Sequence, residues 1–117
     1  MNLDPLVIAA LAVLAFIVVT RLRGGGKVAA NIVLEKIKAG AKVVDVRSPE
    51  EYRDGAYGGA VNIPLPELGR RLSEIPKDKP VVLYCASGAR SSMGARVLKQ
   101  AGFPDVVNAG GLSDMPR

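Results

Sequence analysis

Apolar and polar positions change their periodicity several times along the chain, which indicates a series of short elements. The short, largely apolar runs that are typical of strands are 42–46, 60–64, 80–84 and 105–108. The stretches that carry apolar residues at helical spacing are 28–38, 66–72 and the residues after 90. Because strands alternate with helices, the pattern predicts an α/β domain with a small, mainly parallel sheet flanked by helices.

One further short helix is predicted by capping residues rather than by periodicity. Ser48 offers an N-cap hydroxyl, Pro49 suits the first helical position, and Glu51 stands at the third. Gly55 follows soon after and limits this helix to a few residues.

The longest apolar stretch lies at the start of the chain. Residues 6–19 carry no charge, and counting outward from Leu3 to Leu22 gives twenty residues. A helix of that length spans roughly 30 Å, the thickness of the hydrocarbon core of a bilayer. A cleaved signal peptide fits less well because Asp4 precedes the run, and a core helix fits less well because the run is apolar on every face. We therefore expect an uncleaved transmembrane helix.

The basic residues near this segment predict its orientation. Arg21, Arg23 and Lys27 all follow the apolar run, so the positive-inside rule places the C-terminal domain in the cytoplasm. The predicted protein is thus a single-pass membrane protein. Its predicted parts are a transmembrane anchor at 1–23, a Gly-rich linker at 24–29 and one domain at 30–117.

Composition limits the chemistry that this domain can perform. The chain has no histidine and one cysteine, which excludes a Cys-His dyad, a histidine metal site and an intrachain disulfide. The net charge is +5, but the basic residues are scattered and tryptophan is absent, so we expect no nucleic-acid partner. Any cysteine chemistry must therefore rely on backbone dipoles and cations.

The single cysteine, Cys85, stands between a predicted strand and a predicted helix. Ligands of open α/β sheets bind at the carboxyl ends of strands, and a helix N-terminus favours an anion such as a thiolate. Arg90, separated from Cys85 by four residues, adds a fixed cation. The residues between them are small and let the backbone curl around the sulfur: Ala86, Ser87, Gly88 and Ala89.

This loop and three other segments resemble the rhodanese family of sulfurtransferases, and the resemblance covers about three quarters of the chain. The segments that carry it are Cys85-Ala86-Ser87-Gly88-Ala89-Arg90-Ser91, Val44-Asp45-Val46-Arg47-Ser48-Pro49-Glu50-Glu51-Tyr52, Gly59-Ala60-Val61-Asn62-Ile63-Pro64 and Asn108-Ala109-Gly110-Gly111. The resemblance implies a rhodanese-like domain in which Cys85 is the catalytic nucleophile. Residues 86–90 would bind the substrate, with no cofactor and no metal.

The implied reaction moves sulfane sulfur from a donor to a nucleophilic acceptor. The donor would be a small sulfur-containing anion such as thiosulfate, or a persulfide, and the acceptor cyanide or a thiol. Cys85 would hold the sulfur in transit as a persulfide. An alternative is a sulfur carrier or binding module of the same fold that serves a membrane partner with little catalysis of its own.

Loop length distinguishes this family from the related phosphatases. Four residues lie between Cys85 and Arg90, whereas the phosphatase loop encloses five and is preceded by histidine, where this chain has Tyr84. We interpret Asp45 and Arg47 as structural support for neighbouring loops. Ser91 lacks a base that could activate it, so we expect it to cap the helix or to donate hydrogen bonds within the loop.

Overall fold

The computed structural model describes residues 3–117, without the side chains of residues 18–24. Its sheet has four parallel strands in the order β2-β1-β3-β4. The strands are β1 (Lys42–Asp45), β2 (Val61–Asn62), β3 (Val81–Cys85) and β4 (Val106–Gly111). The prediction of a small parallel sheet is confirmed, although β2 is shorter and β4 longer than the apolar runs that predicted them.

The helices of the described chain are α1 (Pro5–Gly25), α2 (Ala30–Lys38), α3 (Pro49–Asp54), α4 (Leu65–Leu68) and α5 (Ala89–Gln100). Two 3₁₀ turns add to them, Leu72–Glu74 and Leu112–Asp114. The predicted capping box is present at α3, where the Ser48 hydroxyl accepts from the Glu51 N–H and the Glu51 carboxylate accepts from the Ser48 N–H.

The strand β3 shows how the sheet separates two apolar cores. Alternate residues of a strand point to opposite faces, so Val81, Leu83 and Cys85 share one face with Leu98 of α5. Val82 and Tyr84 point to the other face, which packs against α2. Every residue of β3 is buried. Cys85 therefore lies at the end of a buried central strand, on the face that packs against α5.

The predicted transmembrane anchor and the membrane localisation are wrong. In the part of the chain that the structure describes, no helix has the combined length and apolar character that crossing a bilayer requires. The uncharged run 6–19 provides only about 21 Å of helix, against roughly 30 Å of hydrocarbon. The orientation predicted from Arg21, Arg23 and Lys27 depended on that span and is wrong for the same reason. The side chains of the two arginines lie outside the described residues.

The segment after α1 is bound to the domain by backbone contacts. Lys27 forms a parallel bridge with Asn108, and the N–H of Val28 donates to the carbonyl of Asn108 at 2.9 Å. Gly25 is buried, and the C-terminal end of α1 reaches α5. The chain predicted as a linker thus runs along the edge of the sheet beside β4.

Candidate active site

Cys85 is the last residue of β3, and α5 begins at Ala89. Gly88 is the N-cap of α5 and has a φ of +102°, a left-handed conformation that side chains disfavour. The sheet places Gly111 of β4 beside Cys85. The predicted arrangement of a cysteine between a strand end and a helix start is confirmed, and the turn between them depends on glycine.

Hydrogen bonds converge on the sulfur of Cys85. The Gly88 N–H donates to Sγ at 2.9 Å, and the Ser91 Oγ lies 3.4 Å from Sγ. Burial is the largest influence on the pKa of this thiol and raises it, because Cys85 is 1% exposed. Hydrogen bonds from the Ser91 hydroxyl and from backbone N–H groups together outweigh burial, so the pKa lies below its ordinary value. The site therefore stabilises the thiolate relative to that of an ordinary cysteine, without any histidine.

The two glycines at the end of β4, Gly110 and Gly111, pack directly against the loop that follows Cys85. A Cβ atom on Gly111 would collide with the carbonyl oxygen of Ala86. A Cβ atom on Gly88 would lie 3.3 Å from the Cα of Gly110. Glycine is thus required where the loop and β4 meet, because only bare backbone allows this approach.

Arg90 is not a free cation. Its Nη1 and Nη2 atoms donate to the two carboxylate oxygens of Glu51, at 2.8 and 2.9 Å. Such a bidentate pair fixes the guanidinium and offsets its charge. Hydrogen bonds from Arg90, and then from the Ser48 N–H, lower the pKa of Glu51 from 4.5 to about 2. The sequence predicts Glu51 only as a helix-capping residue, whereas its second partner lies 39 positions away.

The pH range of this ion pair follows from that shift. Because folding lowers the pKa of Glu51, the stabilisation is fully present above the pKa of the unfolded state. It is lost as the pH falls through about 2. The pair is therefore intact at any pH at which the thiol of Cys85 would be used.

Asp45 and Arg47 form a buried ion pair behind the site. The Arg47 Nη2 atom donates to Asp45 Oδ2 at 2.7 Å and to the Gly55 carbonyl at 2.7 Å. The guanidinium carbon also lies 5.5 Å from the centre of the Tyr84 ring. These contacts tie the end of β1 to the segment after α3 and to the strand that carries Cys85.

Asn108 is a residue of the site that the sequence did not reveal. Its Oδ1 accepts from the Ser91 hydroxyl at 2.6 Å and from the Gly110 N–H at 2.9 Å. The resembling segment 108–111 contained this asparagine, but no local signal indicated that it would reach α5. Within 3–17 and 25–117, no cluster of His, Cys, Asp and Glu could hold a metal ion.

Replacing Glu51 by glutamine should lower the pH midpoint for alkylation of Cys85 by iodoacetamide. The charge of Arg90 would no longer be offset, so the thiolate would gain stabilisation. We expect alkylation at pH 6 to become about twofold to threefold faster, a size typical of a screened charge near a surface. Glu50→Gln is the matched control, since Glu50 lies in the same helix turn, is exposed and pairs with Arg53. An unchanged or higher midpoint for Glu51→Gln would contradict the expectation.

Comparisons with known proteins identify a matching family model and several relatives. The family model of the rhodanese-like domain matches residues 29–115. The Uncharacterized protein YqhL of Bacillus subtilis is 42% identical over 80 residues, covering 66% of this chain and 64% of that protein. The Thiosulfate sulfurtransferase PspE of Escherichia coli is 40% identical over 74 residues, covering 62% and 71%.

A solved structure described as a rhodanese with anions from E. coli superposes with a TM-score of 0.61 at 39% identity. The superposition covers 65% of this chain and 94% of that one. For YqhL, the match falls just short of two thirds of the relative's own length.

Proposed function

The chain belongs to the rhodanese-like family of sulfurtransferases and sulfur carriers, and on this basis we propose that it transfers sulfane sulfur through a persulfide on Cys85. The observation that carries the proposal is the buried thiol at the strand end, whose sulfur accepts from the Gly88 N–H at 2.9 Å. Although burial raises the pKa of the thiol, the hydrogen bonds to its sulfur lower it below the ordinary value. A thiolate is the nucleophile that such a transfer needs. The relative PspE is named as a thiosulfate sulfurtransferase, which suggests thiosulfate as the first donor to test.

In the first step, the Cys85 thiolate attacks the outer sulfur of thiosulfate. A new S–S bond forms, the S–S bond of thiosulfate breaks, and sulfite leaves with the bonding electron pair. In the second step, cyanide attacks the outer sulfur of the persulfide. Thiocyanate is released, and the electron pair of the broken bond returns to Cys85 as the thiolate. No oxidant or reductant is consumed.

The loop backbone is the proposed binding site for the donor anion. Its N–H groups lie at the start of α5, where the helix dipole favours negative charge. The side chains of Ala86, Ser87 and Ala89 are exposed, and Gly88 lies between them. Arg90 would border the anion with the N–H groups that Glu51 leaves unused. Asp45 and Arg47 would support this binding site by holding the neighbouring loops in place.

Mass spectrometry of the intact protein tests the proposal directly. Incubation with thiosulfate is expected to add the mass of one sulfur atom, and later addition of cyanide should remove it with release of one equivalent of thiocyanate. The attribution is unambiguous because the chain has a single cysteine. If no sulfur is retained from either thiosulfate or a low-molecular-weight persulfide, the persulfide mechanism is excluded.

A sulfur carrier is the second candidate, and the Arg90–Glu51 pair favours it. Because the charge of Arg90 is offset, the site offers thiosulfate little net positive charge. A carrier would load one sulfur from a persulfide donor yet turn over thiosulfate and cyanide slowly. The thiosulfate:cyanide turnover rate, measured beside the loading stoichiometry, distinguishes the two candidates.

A further inference from the structure

The Glu51 carboxylate is fixed from two sides at the end of the Cys85 loop. Its two oxygens accept from Nη1 and Nη2 of Arg90, at 2.8 and 2.9 Å. Its Oε1 atom also accepts from the Ser48 N–H at 3.3 Å and from the Ser48 hydroxyl at 3.0 Å. Such charge-assisted hydrogen bonds hold a carboxylate in one position. The negative charge of Glu51 is therefore a fixed part of the site.

Arg90 connects this carboxylate to the sulfur electrostatically. It lies in the first turn of α5, two residues after Gly88, whose N–H donates to Sγ of Cys85. The pKa of Arg90 lies above its ordinary value, chiefly because of the hydrogen bonds to Glu51, and the charge of the Cys85 thiolate adds to this effect. The charge of Arg90 thus acts on the sulfur, and Glu51 offsets that charge at the same place.

The anion-binding strength of the site therefore depends on the loop backbone more than on a net charge. The Arg90 and Glu51 side chains are 38% and 36% exposed, so a donor that approaches from solvent meets both charges together. Backbone N–H groups supply only partial positive charges. The other ion pairs at this end of the described chain are Arg47 with Asp45, Lys27 with Asp114 and Arg53 with Glu50.

Resting on the function proposed above, we propose that Glu51 is a specificity-determining residue that sets the charge of the sulfur donor. Because Glu51 offsets Arg90, the site takes donors with at most one negative charge, such as an alkyl persulfide, in preference to the thiosulfate dianion. The electrostatic free energy of binding is proportional to the charge of the donor. Any gain in affinity that a monoanion obtains from loss of the Glu51 charge is therefore squared for a dianion.

Thiosulfate and methanethiosulfonate are a matched pair of donors for testing this selection. Both carry the transferable sulfur on a sulfonyl group, but a methyl group replaces one oxygen in methanethiosulfonate and leaves it with one negative charge. The Cys85 thiolate attacks the outer sulfur of either donor. With methanethiosulfonate, the S–S bond of the donor breaks and methanesulfinate leaves with the bonding electron pair. Cyanide is the acceptor in both assays.

The measured quantity is the ratio of kcat/KM for thiosulfate to kcat/KM for methanethiosulfonate, with the full-length protein at pH 7. Glu51→Gln should raise this ratio about twofold to threefold at low ionic strength, the size expected for one screened charge near a surface. A change in the thiolate fraction of Cys85 affects both donors equally and cancels. The increase should shrink in 1 M salt, where the Debye length is about 3 Å.

Three further variants separate charge from geometry. Glu51→Asp keeps the charge and should leave the ratio near that of the unmodified protein. Arg90→Gln should lower the ratio, and the double variant Glu51→Gln, Arg90→Gln should restore it, because neither charge remains.

Glu50→Gln is the matched control for Glu51→Gln. The Glu50 side chain is 73% exposed and pairs with Arg53 at 3.6 Å. Its removal should leave the donor ratio unchanged. An unchanged ratio in folded Glu51→Gln, or the same increase in Glu50→Gln as in Glu51→Gln, would overturn the specificity role. Circular dichroism shows whether each variant is folded.

Alkylation of Cys85 gives a second readout that needs no sulfur donor. Iodoacetate and iodoacetamide react with the same thiolate and differ by one negative charge, so the ratio of their rates reports the potential at the sulfur and not its pKa. Glu51→Gln should raise this ratio about twofold to threefold. If it rises while neither donor loads sulfur, the electrostatic role of Glu51 stands and the proposed function fails. If sulfur transfer is found but neither ratio moves, the role of Glu51 fails and the proposed function stands.

Discussion

Cys85→Ser is expected to lower the rate of sulfur transfer from thiosulfate to cyanide by at least about a thousandfold, because the covalent intermediate can no longer form. Serine preserves the size of the side chain, but its hydroxyl is not ionised at neutral pH and forms no persulfide. The geometry that favours a thiolate, with the Gly88 N–H at 2.9 Å from sulfur, offers no comparable nucleophile once sulfur is replaced. The measurement is the initial rate of thiocyanate formation.

A relocated thiol provides the control for this experiment. The double variant Cys85→Ser, Ser73→Cys carries its single thiol at the exposed position 73, in the 3₁₀ turn Leu72–Glu74. We expect it to be as inactive as Cys85→Ser, because the new thiol lacks the hydrogen bonds that lower the pKa of Cys85. A Cys85→Ser variant with a rate near that of the unmodified protein would exclude Cys85 as the nucleophile.

Asp45→Ala is expected to reduce the free energy of unfolding by about 3–5 kcal/mol, the usual cost of leaving a buried charge without its partner. Asp45 is fully buried and accepts from both the backbone N–H and the guanidinium of Arg47. Removing it leaves the Arg47 charge uncompensated beside Tyr84. Urea denaturation followed by circular dichroism measures the change.

An exposed ion pair supplies the comparison. Glu50 and Arg53 lie one helix turn apart at 3.6 Å, and both side chains are largely exposed. Glu50→Ala should therefore change the free energy of unfolding by less than about 1 kcal/mol. Equal effects of Asp45→Ala and Glu50→Ala would show that burial of the Asp45–Arg47 pair does not matter to stability.

Local signals in the sequence were sufficient for most elements of the domain. Ser48, Pro49 and Glu51 predicted the start of α3, and the structure contains that capping box. The spacing of apolar residues predicted β3 and α5, and thus the position of Cys85 between them. These signals succeed because a cap, a turn or a periodic stripe depends on residues within a few positions of one another.

The first helix shows where such signals fail. The uncharged run has only fourteen residues, and it reaches the twenty of a membrane span only if the flanks with Asp4 and Arg21 are included. The periodicity of apolar residues does not indicate which part of the domain the C-terminal end of such a helix packs against. In the structure, the chain after α1 turns along β4, where its backbone pairs with Asn108.

The sequence by itself determined the family resemblance, the order of strands and helices, and the nucleophile at a strand end. Only the tertiary structure decided what surrounds that nucleophile. Glu51 meets Arg90 across 39 positions, Ser91 meets Asn108 across 17, and Asn108 meets Gly25 across 83. Contacts at such separations depend on how the sheet and helices pack, because no local propensity encodes them. The thiol of Cys85 is thus specified locally, and its electrostatic environment is specified by the fold.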